Sequence, residues 1–133
     1  MASVSVSQDY SASASAVWAV IGNLDISAWH PAIASATVAD DGSARTCTLG
    51  DGGEIAEEIL ERDDATRRYR YRVVTSPLPM TDYVSVISVG ETDGGSRVAW
   101  EAEFTPVGIE AAELEGMIRG LYEAGLSALT EKF

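Results

Sequence analysis

Residues 43–75, SARTCTLGDGGEIAEEILERDDATRRYRYRVVT, decide the fold because they contain two hairpins in succession. The glycine-rich segment 50–53 and the polar segment 63–66 each separate two runs in which apolar and polar residues alternate. Alternating runs joined by turns rich in Gly and Asp are typical of antiparallel strands. The stretch therefore predicts three neighbouring strands of a β-meander.

The lengths of the two turns predict which residues face each other. If Leu49 pairs with Glu54 across the first turn, Arg45 lies opposite Glu58, and the second turn sets Glu58 opposite Tyr71. Side chains alternate along a strand, so Arg45, Glu58 and Tyr71 then share one face. We therefore expect a charged pair, Arg45 and Glu58, on an otherwise apolar inner face. A one-residue bulge would exchange the two faces.

The outer face of the same strands carries charges of both signs. The predicted register sets Glu57 opposite Arg72 and Glu61 opposite Arg68. Opposite charges on neighbouring strands suit a solvated surface. This ladder explains the Arg-rich strand without invoking nucleic acid.

The remaining sequence predicts further elements from its hydrophobic periodicity. Period-two alternation indicates strands, and apolar residues three and four apart indicate helices. Strands are expected at 2–10, 33–38, 43–49, 54–62, 67–75, 82–91 and 97–105, short helices at 14–21 and 26–29, and a long helix of about 22 residues from Glu110. This order predicts an α+β fold in one domain, residues 1–133, with the long helix on one face of a curved antiparallel sheet.

The predicted inner face holds several aromatic side chains with polar tips. Tyr69, Tyr71 and Tyr83 face inward together with Trp100 and Phe104. Buried tyrosine hydroxyls need hydrogen-bond partners, and a tightly packed small core rarely holds several of them. We therefore expect a pocket between the helix and the sheet.

Composition narrows the partners and the chemistry. The net charge of −12 argues against nucleic acid and against an anionic membrane surface. The single cysteine, Cys47, excludes an internal disulfide, and one histidine with no clustered ligands gives no zinc pattern. We find no nucleophile elbow and no nucleotide fingerprint, and we predict neither metal nor cofactor. With no signal peptide and no membrane span in the sequence, we expect a cytoplasmic protein, monomeric or homodimeric.

Several motifs give the chain a family resemblance. They are Trp29-His30-Pro31, Arg45-Thr46 followed by residues 49–53, Arg62-Asp63-Asp64 with Tyr69-Arg70-Tyr71, and Pro77-Leu78-Pro79. In this order the chain resembles the START-like (SRPBCC) superfamily, and more narrowly the polyketide cyclase/dehydrase and lipid-transport family. The resemblance implies a helix-grip fold, in which a seven-stranded sheet wraps around the C-terminal helix and encloses a deep apolar pocket. Such relatives include lipid and sterol carriers, hormone sensors, aromatic cyclases, hydrolases and co-chaperones, so the fold does not choose among functions.

The candidate site residues line this expected pocket. For ligand binding they are Trp29, His30, Arg45, Glu58, Tyr69, Tyr71, Tyr83, Trp100, Phe104, Met117 and Leu121. The Arg45 and Glu58 pair either orients a ligand or forms a structural ion pair. His30 acts either as a general base or as a loop cap before Pro31.

Two further features have alternative interpretations. The apolar loop around Leu78 forms either a gate or dimer contact, or a rigid connection. Helix residues Gly120 and Gly125 indicate either close approach to the sheet or room left for a ligand.

Three functions are compatible with these residues. The leading prediction is binding of a small, mostly apolar molecule, lipid-like or aromatic, in the pocket. The alternative is a cyclase, dehydratase or hydrolase for a polyketide-like or aromatic substrate, in which Glu58 or His30 transfers a proton. The third is a protein-binding module of the co-chaperone type, which requires an apolar outer sheet face.

Overall fold

The computed structural model describes residues 2–133 and contains the elements that the sequence predicts. The strands are β1 (Ala2–Tyr10), β2 (Ile33–Val38), β3 (Ala44–Leu49), β4 (Glu54–Asp63), β5 (Arg68–Thr75), β6 (Met80–Thr92) and β7 (Gly95–Pro106). The helices are α1 (Ala14–Ile21) and α2 (Ala111–Ala128), with 3₁₀ turns at Ile26–Ala28 and Leu129–Glu131.

The seven strands form one antiparallel sheet in the order β1-β7-β6-β5-β4-β3-β2. Helix α2 buries Leu114, Ile118, Tyr122 and Leu126 against this sheet, because these residues recur every four positions on one side of the helix. The predicted α+β helix-grip fold is thereby confirmed, as are the two short helical segments after β1.

The alternation in β5, β6 and β7 is as predicted. Tyr69 and Tyr71 of β5, Tyr83 of β6, and Trp100 and Phe104 of β7 are all buried in the core. Their neighbours in sequence are exposed or half-buried.

The register between β3 and β4 differs by one residue from the prediction. Thr48 pairs with Glu54, so Arg45 lies opposite Glu57, not Glu58. Glu57 is therefore the inward carboxylate, while the side chain of Glu58 is 47% exposed on the outer face. The predicted Arg45 and Glu58 pair is wrong.

A bulge in the first turn explains the difference. The amide of Gly52 donates to the carbonyl of Leu49, and the amide of Leu49 donates to the carbonyl of Gly53. Gly52 has φ +91°, the left-handed conformation that glycine adopts without strain. A turn that ends in such a glycine places one extra residue opposite its partner strand. The extra residue shifts the whole of β4 by one position.

The outer ladder is corrected in the same way. Arg72 contacts Glu58 at 2.9 Å rather than Glu57. Glu61 lies opposite Arg70 and not opposite Arg68 as predicted, although the Arg68 side chain still reaches Glu61 at 3.8 Å. Between β4 and β5 the register shifts twice, between Ala56 and Glu57 and again after Ile59. Ile59 lies opposite Tyr71, so the predicted pairing of Glu58 with Tyr71 is wrong.

The two helix glycines have different environments. A Cβ atom on Gly125 would lie 2.5 Å from Cδ2 of His30, so this glycine allows close approach of the segment before β2 rather than of the sheet. Gly120 is exposed, and a Cβ atom there would meet nothing within 4 Å in the described chain beyond its own stretch of helix. The prediction that Gly120 indicates close approach to the sheet or room left for a ligand is therefore wrong.

We expect Gly125→Ala to lower the free energy of unfolding by about 1–3 kcal/mol, because the methyl group overpacks against His30. The matched control is Gly120→Ala, which should raise it by up to about 1 kcal/mol through helix propensity. Urea denaturation of both variants measures the difference. Equal stabilisation by the two substitutions would contradict the close packing at Gly125.

Candidate functional site

A small cavity lies between the inner face of the sheet and α2. Its volume is about 60 Å³. The apolar part of its wall consists of Ile26, Ile33, Leu49, Ile55, Val73, Leu78, Met80, Ile118 and Leu121. The aromatic and polar part consists of His30, Arg45, Cys47, Glu57, Tyr71, Tyr83, Trp100 and Tyr122.

Arg45 provides the one cation that residues 2–133 contribute to this wall, and its side chain is fully shielded from solvent. Its Nε donates to Oε1 of Glu57 at 2.6 Å. Its Nη1 donates to the carbonyl of Leu24 at 3.0 Å and to the hydroxyl of Tyr69 at 3.3 Å. The guanidinium carbon lies 4.8 Å from the ring centroid of Tyr71, a cation–π distance.

The ion pair leaves unused hydrogen-bonding capacity at the cavity. Nη2 of Arg45 is buried and has no hydrogen-bond partner within residues 2–133. Glu57 uses Oε1 for Arg45, and the thiol of Cys47 contacts the same oxygen at 3.9 Å. Because buried polar groups normally have partners, Nη2 is the nitrogen of Arg45 that remains available to an acceptor.

Burial and charge act in opposite directions on the pair. Burial raises the pKa of Glu57, and the adjacent guanidinium of Arg45 opposes that rise. Burial alone would lower the pKa of Arg45, but the surrounding Tyr69, Glu57 and Tyr71 raise it well above its ordinary value. Arg45 therefore stays charged. Burial also raises the pKa of Cys47 to about 12, so its thiol is not a nucleophile at neutral pH.

A cluster of hydroxyl groups forms another polar part of the wall. The hydroxyls of Tyr83 and Tyr122 contact each other, and Ser85 Oγ lies 3.0 Å from that of Tyr122. Trp100 donates its Nε1 to Tyr71 and Ser85, each at 3.1 Å. The rings of Trp100 and Tyr122 stack at 4.0 Å, which fixes α2 over the sheet. Burial raises the pKa of Tyr71, Tyr83 and Tyr122 well above 10, so all three remain neutral.

His30 has both ring nitrogens engaged. The amide of Ala32 donates to Nδ1 at 3.1 Å, so the ring proton is on Nε2, which lies 2.8 Å from the carbonyl of Leu121. Burial lowers the pKa of His30, although the bond to Leu121 opposes this. Through these two hydrogen bonds His30 joins the segment before β2 to helix α2.

The structure separates the predicted site residues into three groups. Those that line the cavity are His30, Arg45, Tyr71, Tyr83, Trp100 and Leu121. Those buried behind its wall are Trp29, Tyr69 and Phe104. Glu58 and Met117 face away from it, and Met117 is 42% exposed.

Sequence reasoning missed Glu57, Tyr122 and Ser85. The signal for Glu57 is present, because Ile55 and Ile59 flank it at a spacing of two and mark the apolar face of β4. Tyr122 belongs to the same helical stripe as Ile118, so the periodicity of α2 contains its signal.

Residues 2–133 were compared with two requirements, those of a metal site and those of a membrane-spanning helix. No three His, Cys, Asp or Glu side chains lie close enough together to hold a metal ion. None of the described helices combines the length and the apolar character that crossing a membrane requires.

Comparison with known families gives one match along residues 1–133, to the family described as polyketide cyclase/dehydrase and lipid transport. The chain belongs to this family. No protein in the comparison with curated sequences matches it significantly.

Several solved structures share the fold of this chain. The protein XoxI from Bacillus cereus is 33% identical, with a TM-score of 0.96 over 100% of this chain and 96% of its own. An uncharacterized protein from Bacillus thuringiensis is 32% identical, with a TM-score of 0.95 over 99% and 98%. A START superfamily protein from Mycobacterium smegmatis, 13% identical, shares the fold with a TM-score of 0.81 over 98% and 95%.

We expect the His30 ring to titrate below pH 6.5 in the folded protein, because its burial disfavours the imidazolium. The unfolded chain then binds more protons, so the contribution of His30 to stability is complete above pH 6.5 and is lost as the pH falls through the folded pKa. Since the chain has one histidine, its proton NMR signal reports this directly. A midpoint at or above 6.5 would show that Nδ1 is free to accept a proton.

The two neighbouring glutamates give a matched test of the corrected register. Glu57→Gln should lower the free energy of unfolding by about 3–5 kcal/mol, because it leaves the buried Arg45 without its counter-ion. Glu58→Gln removes the same charge from an exposed pair and should cost less than about 1 kcal/mol. Urea denaturation measures both. The reverse ranking would restore the predicted pairing of Arg45 with Glu58.

Proposed function

We propose that this member of the family binds a small, mostly apolar molecule whose hydrogen-bond acceptor meets Nη2 of Arg45. The observation that carries the proposal is the buried Nη2, unpartnered within residues 2–133, at the wall of an apolar cavity. A buried donor without a partner costs about 1–3 kcal/mol. An acceptor on the ligand recovers that free energy, while the apolar wall contributes the remaining affinity.

The size of the cavity requires that its wall yields on binding. A volume of about 60 Å³ holds a few water molecules but is far below the roughly 300–1,000 Å³ of ordinary ligand pockets. Leu78 lies in the loop between β5 and β6, Met80 is the first residue of β6, and both side chains are only half-buried. We infer that these long apolar side chains move outward to admit a ligand, which makes the loop a gate rather than a rigid connection.

Binding is favoured over the alternative of a cyclase, dehydratase or hydrolase. That alternative assigns proton transfer to Glu58 or His30. Glu58 pairs with Arg72 on the outer face, and His30 uses one ring nitrogen as acceptor and the other as donor. Neither residue offers a free base to a molecule in the cavity.

Binding is also favoured over the co-chaperone alternative. The outer face of β4 and β5 presents Glu58, Glu61, Arg68 and Arg72 in cross-strand contacts. A face covered by paired charges lacks the contiguous apolar patch that a protein-binding surface of this kind needs.

The binding proposal predicts a preference between two probes of similar shape. Acetophenone carries a carbonyl acceptor and ethylbenzene does not. We expect both to shift the amide NMR signals of residues around the cavity, with acetophenone about threefold to tenfold tighter, because a net hydrogen bond contributes about 0.5–1.5 kcal/mol. Titration of ¹⁵N-labelled protein measures both dissociation constants.

Two control variants test whether the preference for acetophenone depends on Arg45 or on the loss of any arginine. Arg45→Gln should abolish the preference for acetophenone, whereas Arg72→Gln, on the outer face, should retain it. If Arg45→Gln does not fold, the affinities of the two probes for the unmodified chain still show whether an acceptor on the ligand strengthens binding. Binding of neither probe at the cavity would refute the proposed function.

A further inference from the structure

We propose that the group that meets Arg45 is electrically neutral, a carbonyl or a hydroxyl, and that carboxylates, sulfonates and phosphates are disfavoured ligands of this cavity. This inference rests on the proposed function, because it specifies the ligand class of the same site. It follows from the charges that face the cavity rather than from its shape.

The cavity wall is neutral as a whole. Among the described residues, Arg45 is its one cation and Glu57 its one anion, and Nε of the first is 2.6 Å from Oε1 of the second. The hydrogen bonds of His30 fix it as the neutral ring, with Nδ1 as acceptor. The tyrosine hydroxyls of the wall are uncharged. Since the one cation of the described wall is paired with its one anion, no unpaired positive charge remains there for an anionic ligand.

An anion would meet unfavourable electrostatics here. To reach Nη2, a carboxylate must leave water and approach Arg45, whose charge Glu57 already compensates from the neighbouring strand. A carboxylate next to Glu57 would add a second negative charge to a largely apolar space, and burial penalises such an uncompensated ion heavily. The same position suits a neutral oxygen, because Nη2 still offers its hydrogen-bond donor.

The alternative is that Arg45 acts as an anion receptor, as buried arginines do when they lack a counter-ion. The geometry argues against it. Nε and Nη1 are already committed to Glu57, to the carbonyl of Leu24 and to the hydroxyl of Tyr69. With respect to residues 2–133, Nη2 alone is free, so a two-point contact with a carboxylate or phosphate requires breaking an existing hydrogen bond, either that of Nε to Glu57 or those of Nη1.

The test compares acetophenone with benzoate, which have nearly the same shape and differ in charge. We expect acetophenone to bind the unmodified chain at least about tenfold more tightly, measured by the same amide NMR titration. The chain's net charge of −12 repels benzoate at long range, so the titration is repeated in about 1 M sodium chloride, where the Debye length is about 3 Å. The preference should persist there, because the local pair is shielded from salt.

Two variants locate the origin of the selectivity. Glu57→Gln leaves the charge of Arg45 uncompensated, so benzoate should gain about tenfold relative to acetophenone. Glu58→Gln removes one negative charge from the adjacent position on the outer face and should leave the ratio unchanged. An equal gain in both variants would overturn the inference, because it would show a general charge effect.

The outcomes distinguish this inference from the proposed function. If neither acetophenone nor benzoate binds at the cavity, the proposed function itself fails. If both bind and benzoate binds equally well or more tightly at high salt, the proposed function stands and the inference of a neutral ligand is overturned. Should Glu57→Gln not fold, the two probes on the unmodified chain decide the matter alone.

Discussion

The burial of one guanidinium is the constraint on which the cavity depends. A charged group can be taken out of water only if hydrogen bonds and an opposite charge replace its hydration, and Arg45 obtains these from Glu57, the Leu24 carbonyl and Tyr69. These partners come from three separate parts of the chain: β4, the loop after α1, and β5. An aliphatic residue at this position would remove the need for all of them. The pair is therefore poor evidence for stability and better evidence for a site that needs a polar group.

Polar contacts also hold α2 at its distance from the sheet. Tyr122 stacks on Trp100 and shares hydroxyl contacts with Tyr83 at one level of the helix, and His30 contacts the Leu121 carbonyl at the same level. Directed contacts of this kind fix a spacing, whereas purely apolar side chains would pack until the gap closed. The space beside Arg45 follows from this arrangement, since the helix cannot approach further without breaking these contacts.

The fold and most of the inner face are predictable because alternation in β5, β6 and β7 is regular. The identity of the buried carboxylate is not, because it depends on a bulge at Gly52 that turn length alone does not reveal. The apolar residues Ile55 and Ile59 flank Glu57 and indicate that its side chain faces inward, whereas the length of the turn indicates that Glu58 does. The hydrogen bond of His30 to the Leu121 carbonyl is unpredictable for another reason: it joins residues far apart in sequence whose geometry only the folded chain defines.

The same bulge shows how the polarity of such a cavity is set. Strand β4 offers two adjacent glutamates, and the left-handed Gly52 determines that Glu57 enters the cavity while Glu58 remains outside with Arg72. The strands, their order and the helix would be unchanged by the other register, but the inner carboxylate would be flanked by different neighbours. Family membership defines the fold, whereas the turn that precedes β4 defines which carboxylate faces the cavity. The polarity of the cavity wall is thus a property of local strand register, and resemblance of the overall fold does not transmit it.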